Sequence, residues 1–330
     1  MKKGEVIAID VGYGHTKIVT SDQPIIFPSQ IGPARELTFA LTDKAEAPGE
    51  KVMVGDQAFL VGKSADHCNT TFVMKTRDWI SSPIYAAVIT SVFARVMPSL
   101  DLSAELSIVA GLPVDYIGDK ATAAAQIRSV ASTANINLKS VEIIPQPFGT
   151  FFDHVLDMSG EPKISAASIG LIGIIDIGYH STDFILVQGV ENNIERAGGS
   201  ITTGAFTIYD YIRSDLMHRF GRNNITLAEI EDCVRRRQSL KIGKHTQDVS
   251  VIVQTHMRNT AQTIIGAIRS KWSQEGELDT VLLTGGGGSL LRDYLNGCCD
   301  DTRLVPGPQM ANARGYYKRG MFVKAALKSL

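Results

Sequence analysis

The 330-residue chain is 44% hydrophobic and 20% charged, and its 33 basic and 34 acidic side chains leave a formal charge of −1. This length fits about two domains, the apolar fraction is that of a folded globular chain rather than a disordered one, and the charge balance argues against a generally basic nucleic-acid binder. The longest uncharged apolar stretch, 79–94, is too short for a bilayer span and carries Ser, Thr and Pro, so a buried helix is expected and no membrane association.

In chain order, the opening MKKGEVIAID has no apolar run after its lysines, so no secretory signal is expected. Residues 5–10, 17–20 and 24–27 read as short β-branched strands separated by Gly/Asp turns, whereas 28–63 mixes Gly, Pro and charges and gives no assignment. A helix is predicted over 79–97, stopped by Pro98, and the apolar run 106–112 reads as a fully buried strand. An Ala-rich helix over 115–133, a buried strand over 141–144 and a helix from 149 to about 157 follow, with Pro145 and Pro147 breaking the chain between the last two. The second half opens like the first, with strands over 171–176, 183–188 and near 193–197, then helices over 203–219, 226–238 and 248–272. A buried strand over 280–284 runs into four glycines, and a helix over 310–328 closes the chain. Cys68, Cys233, Cys298 and Cys299 form no C-x-x-C pair, which predicts reduced thiols, no zinc site and a cytoplasmic location. Strands and hairpins followed by strand–helix alternation in each half suggest two related α/β domains.

An internal repeat carries the chemistry. Asp10-Val-Gly12-Tyr13-Gly14-His-Thr16 and Asp176-Ile-Gly178-Tyr179-His180-Ser-Thr182 both read D-x-G-Y-x-x-T, each between two strands. A glycine after a strand end permits a tight turn whose backbone N–H groups can meet a phosphate, and a Thr hydroxyl adds a donor. The Asp at the strand end offers an oxygen to hydrated Mg²⁺. One such copy marks no more than a hairpin turn; two matched copies point to a pair of phosphate-binding turns. The third element, Thr284 followed by Gly285, Gly286, Gly287 and Gly288, lets backbone approach a ligand without Cβ clashes, although a flexible connector fits the same residues. Neither the G-K-[ST] of a P-loop nor the spacing of G-x-G-x-x-G is present.

Taken together, IAIDVGYGHTKIV, IIPQPFGTFF, GIIDIGYHSTDFILV, VLLTGGGGSLL and MANARGYYKRG resemble five segments of the superfamily of actin, heat-shock-chaperone and sugar-kinase ATPases. In order, and over nearly the whole chain, they match its phosphate-1, connect-1, phosphate-2, adenosine and connect-2 segments. VGDQAFLVG and VAGLPVDYI are similar to segments of ParM/StbA-type plasmid-segregation actin-like proteins and archaeal actins. The resemblance implies an α/β fold of two ribonuclease-H-like, actin-type domains with a nucleotide cleft between them. The first domain would cover 1–147, with a small irregular insertion around 28–78; the second would cover 148–330, its C-terminal helix packing back on the first.

The same resemblance implies ATP and Mg²⁺ as ligands, with GTP left open. Asp10 would hold the metal through water, Gly12, Tyr13 and Gly14 would cradle phosphates, and Thr16 would donate a hydroxyl. Lys17 either turns inward to neutralise phosphate or is a solvated strand residue. Gly178, Tyr179 and His180 would complete the clamp, although small residues are common in the family where Tyr179 and His180 stand. Asp176 would bind the metal's water shell or polarise the attacking water. Gln146 would orient that water near the γ-phosphate, or is an ordinary loop amide. Gly285, Gly286 and Gly287 would pass beside the sugar and α-phosphate, and Lys241 would contact adenine, while Arg235, Arg236 and Arg237 read as a solvated face.

Three functions compete on this fold. A filament-forming ATPase would assemble head to tail with copies of itself when ATP binds, disassemble after hydrolysis, and move plasmid DNA through a separate DNA-binding adaptor rather than touch nucleic acid directly. A sugar-type kinase would need a carboxylate for the acceptor hydroxyl, which no recognisable motif supplies. A chaperone or cytoskeletal adaptor is the third reading, but the nucleotide core consumes the chain and leaves no appended substrate domain.

Overall fold

A computed structural model describes residues 5–34, 49–68, 71–72, 77–101, 104–165, 168–189, 192–221, 225–237, 239–242, 245–273, 276–295 and 301–327. Cys298, Cys299 and part of the unassigned 28–63 segment lie outside them. The chain divides into two compact units, 1–164 with 310–330, and 165–309.

The first unit is built on a five-stranded sheet. Its strands are β1 (Glu5–Val11), β2 (His15–Val19), β3 (Ile25–Pro28), β7 (Leu106–Leu112) and β8 (Leu138–Pro145), in the order β3-β2-β1-β7-β8. β1, β2 and β3 form an antiparallel meander, while β7 and β8 run parallel to β1. Between them, β4 (Ile31–Pro33), β5 (Lys51–Val54) and β6 (Gln57–Val61) make a separate three-stranded sheet in the segment whose sequence gave no assignment. The helices are α1 (Pro83–Val96), α2 (Lys120–Thr133) and α3 (Pro147–Val155). α1 starts at 83 rather than 79 because Pro83 suits the first helical position and the Ser82 hydroxyl accepts the Ile84 N–H at 3.3 Å; 77–81 is a 3₁₀ turn.

β1 alternates between two buried faces. Ile7, Ile9 and Val11 join the core beneath α1 and α2, and Val6 and Ala8 join a second core. Full burial of each Ile contributes roughly 1.5–3 kcal/mol, so the register of β1 is fixed on both faces.

The second unit repeats the plan. β9 (Leu171–Ile177), β10 (Thr182–Gln188), β11 (Asn192–Asn193), β12 (Gly199–Ile201), β15 (Thr280–Thr284) and β16 (Thr302–Leu304) form one sheet, ordered β11-β10-β9-β15-β16, with β12 also paired to β10. β9 and β10 are antiparallel, and β15 and β16 run parallel to β9, as in the first sheet. Its helices are α4 (Ala205–Phe220), α5 (Leu227–Arg236), α6 (Ser250–Trp272) and α7 (Gly285–Leu291), with a hairpin of β13 (Leu240–Ile242) and β14 (His245–Gln247). α5 opens on a capping box in which Thr226 and Glu229 bond each other's backbone N–H groups.

The closing helix, α8 (Ala311–Ala326), packs on β1, β7 and α3 and completes the first unit's second core with Ala313, Tyr316 and Tyr317. Among the described residues, no helix is long and apolar enough to cross a membrane.

Candidate functional site

The two D-x-G-Y turns occupy equivalent places, each joining the first antiparallel pair of its sheet. In the first unit the Gly12 N–H donates to the His15 carbonyl at 3.2 Å, and in the second the Gly178 N–H donates to the Ser181 carbonyl at 2.8 Å. These two N–H groups close the turns and are committed within them. Thr16 corrects an expectation. It is fully buried and its hydroxyl pairs with that of Ser29 at 2.8 Å. Thr182 is likewise buried and donates to the Thr203 carbonyl at 2.7 Å. Both threonines brace their turns because β-strand alternation points them into the core.

Around the first turn the structure gathers three predicted residues. Lys17 turns inward, and its Nζ lies 2.9 Å from Asp10 Oδ2. Gln146 Nε2 donates to Asp10 Oδ1 at 3.1 Å. All three side chains are largely buried. Pairing follows from register: Asp10 and Lys17 stand directly opposite on β1 and β2, where side chains share a face. Gln146 arrives from the end of β8, held by its own N–H to the Leu112 carbonyl at 2.8 Å. Tyr13 leans on Trp79, ring centroids 6.4 Å apart, and Gly14 takes the Ser29 N–H on its carbonyl at 3.0 Å.

The second turn is pinned by α4. Ala205 and Phe206 donate their N–H groups to the carbonyls of Gly178 and Tyr179 at 3.1 and 2.8 Å. Tyr179 and His180 pack with Phe206 in an aromatic cluster, His180 to Phe206 at 4.5 Å between ring centroids. That packing gives the two bulky residues a role in place of the small ones common in this turn. Burial, reinforced by Glu231, raises the Tyr179 hydroxyl above its ordinary pKa.

Opposite Asp176 on β10 stands Asp183, in the repeat position of Lys17. Sequence reasoning missed it. The signal was available, because both repeats carry an ionisable residue directly after the Thr, basic in the first and acidic in the second. Both carboxylates are nine-tenths or more buried, and Asp183 accepts hydroxyl bonds from Ser181, at 3.0 Å, and from Ser200. Two carboxylates directly opposite in a ladder present hard oxygen donors of the kind Mg²⁺ takes. Among the described residues no cluster of three or more His, Cys, Asp or Glu forms. An ion that retains several waters and takes phosphate oxygens needs no such cluster.

The four glycines form the first turn of α7 rather than a loop. Gly285 sits at φ +79°, and a Cβ there would lie 2.2 Å from the Ile177 carbonyl oxygen; at Gly287 it would lie 2.4 Å from Ile177 Cγ2. Those two let α7 press against the end of β9, beside Asp176. Gly286 is different: its Cβ position is open, with Arg235 Nη2 the nearest atom at 3.9 Å.

Arg235, Arg236 and Arg237 are exposed, as the solvated-face reading expects, and Arg235 also lines a cavity. It pairs with Glu231 at 2.7 Å. Burial works against its charge, but Tyr209 and Glu231 outweigh burial and raise its pKa. Beside it, α5, α6 and the residues after α7 enclose a cavity of about 620 Å³, lined among others by Cys233, Arg235, Arg237, Gln254, Met257 and Tyr294. That size and mixed lining fit a small organic ligand such as a nucleoside. Arg237 adopts φ +53°, a left-handed conformation uncommon for a side-chain-bearing residue. Lys241 is exposed on β13 and is not among the residues lining the cavity.

Residues 8–149 match the family model of the actin-like protein N-terminal domain, and 174–297 match that of the archaeal actin homologue MreB-like C-terminal domain. No curated protein matches the chain. Among solved structures, the apo psk41 ParM protein superposes with a TM-score of 0.73 at 21% identity, covering 99% of this chain and 100% of that one. A 15-stranded ParM filament from Clostridium botulinum gives 0.74 at 18% identity, covering 97% and 99%. An archaeal actin homologue in complex with ADP gives 0.69 at 18%, covering 96% and 99%. The fold is the actin-like two-domain fold.

Proposed function

We propose, since the chain belongs to the actin superfamily, that it is a Mg²⁺-dependent ATPase that polymerises when ATP binds and disassembles after hydrolysis. Its work would be the segregation of plasmid DNA in the cytoplasm through a DNA-binding adaptor. The observation that carries the nucleotide reading is the Lys17–Asp10–Gln146 constellation at the first turn, where a carboxylate is held by a cation at 2.9 Å and an amide at 3.1 Å. The self-assembly reading is supported by relatives described as filaments, one of them a 15-stranded ParM filament.

In this mechanism Lys17 neutralises phosphate charge, with Asp10 fixing its ammonium. Gln146 positions the attacking water through its amide; a neutral amide orients water but does not take its proton, which makes turnover slow and sensitive to small displacements. When bound, Mg²⁺ would supply positive charge against that developing on the phosphates. Asp10 in the first unit, and separately the Asp176–Asp183 pair in the second, each offer carboxylate oxygens that would suit the water shell of such an ion. The cavity beside Arg235 takes the purine and ribose, with Gly286 the open glycine of α7 on that side.

The test is sedimentation and light scattering of the purified chain with ATP, with ADP and without nucleotide, beside Asp176→Ala. ATP-dependent pelleting that the substitution abolishes, with turnover reduced about 100-fold or more, is expected. Absence of ATP-dependent assembly together with sugar-stimulated turnover would replace this reading by a small-molecule kinase.

A further inference from the structure

We infer that Tyr316 is a positioning residue: from the closing helix it sets the place of Gln146, and through Gln146 the rate of hydrolysis. The inference rests on the ATPase reading. Tyr316 is fully buried, and its hydroxyl donates to the Gln146 backbone carbonyl at 3.2 Å. The same carbonyl accepts the Gly149 N–H at 3.0 Å, while the Gln146 N–H is committed to Leu112 and its side-chain amide to Asp10. The backbone N–H, the backbone carbonyl and the side-chain Nε2 of Gln146 are thus all committed, and one of those partners comes from 170 residues away.

The ring reaches this carbonyl through a slot that two glycines leave open. A Cβ at Gly111 would lie 1.9 Å from the Tyr316 hydroxyl oxygen, and one at Gly149 would lie 2.6 Å from ring atom Cε1. Packing alone would be met by Phe; the hydroxyl is what touches Gln146. One turn earlier on the same face of α8, Asn312 Oδ1 accepts from the Thr150 N–H at 3.1 Å and from the Thr150 hydroxyl at 2.8 Å. α8 therefore holds the Gln146–Thr150 segment at two points. It is also the first element after the chain leaves the second unit at Gln309. A shift or rotation of α8 carries the Gln146 backbone with it and moves the amide relative to Asp10. The geometry makes turnover, rather than nucleotide affinity, the quantity that α8 controls.

Tyr316→Phe isolates the hydroxyl, with Tyr317→Phe, its neighbour on the helix, as control. The first readout needs no nucleotide: amide hydrogen exchange at 146–150 of the full chain is expected to quicken in Tyr316→Phe and not in Tyr317→Phe. The second is steady-state ATP hydrolysis, where kcat is expected to fall about tenfold with KM for ATP within about twofold, while Tyr317→Phe keeps the wild-type kcat. Unchanged exchange at 146–150 overturns the inference, as does an unchanged kcat in a protein whose wild type hydrolyses ATP. A fall in kcat accompanied by equal losses in ATP affinity and melting temperature overturns it too, since that is a general packing role. A wild type that does not hydrolyse ATP removes the ATPase reading, and the exchange experiment alone then decides whether Tyr316 holds Gln146.

Discussion

Replacing Arg237 by Gly should stabilise the protein and weaken nucleotide binding at the same time. Arg237 caps the C-terminus of α5 at φ +53°, its N–H donating to the carbonyls of Cys233 and Val234, the latter at 3.4 Å. A left-handed conformation costs a residue with a Cβ about 1–2 kcal/mol, and glycine nothing. Glycine returns roughly 0.5–1 kcal/mol of that through the greater freedom of the unfolded chain. The net gain is about 0.5–1 kcal/mol, which for a chain of this size raises Tm by roughly 1–3 °C. The side chain is exposed at the cavity and forms no ion pair among those described, so removing it costs the apo fold little. Differential scanning calorimetry without nucleotide reads the first effect, and titration calorimetry with ATP reads the second, an expected loss of about tenfold in affinity. A variant that melts at or below the wild type refutes the strain argument. One that melts higher yet binds ATP as tightly removes the side chain's role in the cavity.

The glycines of α7 should separate by role. Gly285→Ala places a Cβ against backbone at a positive φ and should cost about 3 kcal/mol or more in urea unfolding; Gly286→Ala meets open space, should leave stability within about 1 kcal/mol, and should weaken ATP binding. Lys17→Met removes one partner of a buried pair and leaves the Asp10 carboxylate on Gln146 alone, an expected loss of about 3 kcal/mol by chemical denaturation together with loss of turnover. Asp215 gives the pH dependence. The Arg219 guanidinium beside it, opposed by burial and helped by His256, holds its carboxyl below the usual range. Its folded-state pKa is depressed, so its contribution is present above the unfolded value and is lost as pH falls through the folded one. Asp215→Asn should therefore flatten the acid limb of a Tm–pH profile, and an unchanged limb would count against that pair.

Much of the site was legible before the fold was known. The two turns could be read because glycine after a strand end is a local signal, and their repetition is visible without any contact. Gln146 was marked by the resemblance of IIPQPFGTFF to the connect-1 segment, its bracketing prolines alone fitting an ordinary loop amide equally. The ambiguity of Lys17 could not be resolved in sequence, since a strand residue faces in or out according to register; pairing of β2 with Asp10 on β1 turned it inward. Thr16 was read as a donor for the same want of register, and alternation put its hydroxyl on Ser29 instead. Arg235 is exposed as its run of arginines predicts, but helix spacing alone does not say which of the three lies nearest Gly286 of α7.

The sequence by itself determined two α/β halves, and tertiary structure decided which side chains meet. The halves can be read locally, because strand length, apolar runs and turn chemistry are properties of a few consecutive residues. The meetings depend on sheet register and on the close approach of elements far apart in the chain. Asp10 and Gln146 are 136 residues apart, and Gln146 and Tyr316 are 170 apart. No local pattern encodes those distances. Parallel pairing of β1, β7 and β8 sets the first, and a glycine-lined slot beneath α8 sets the second.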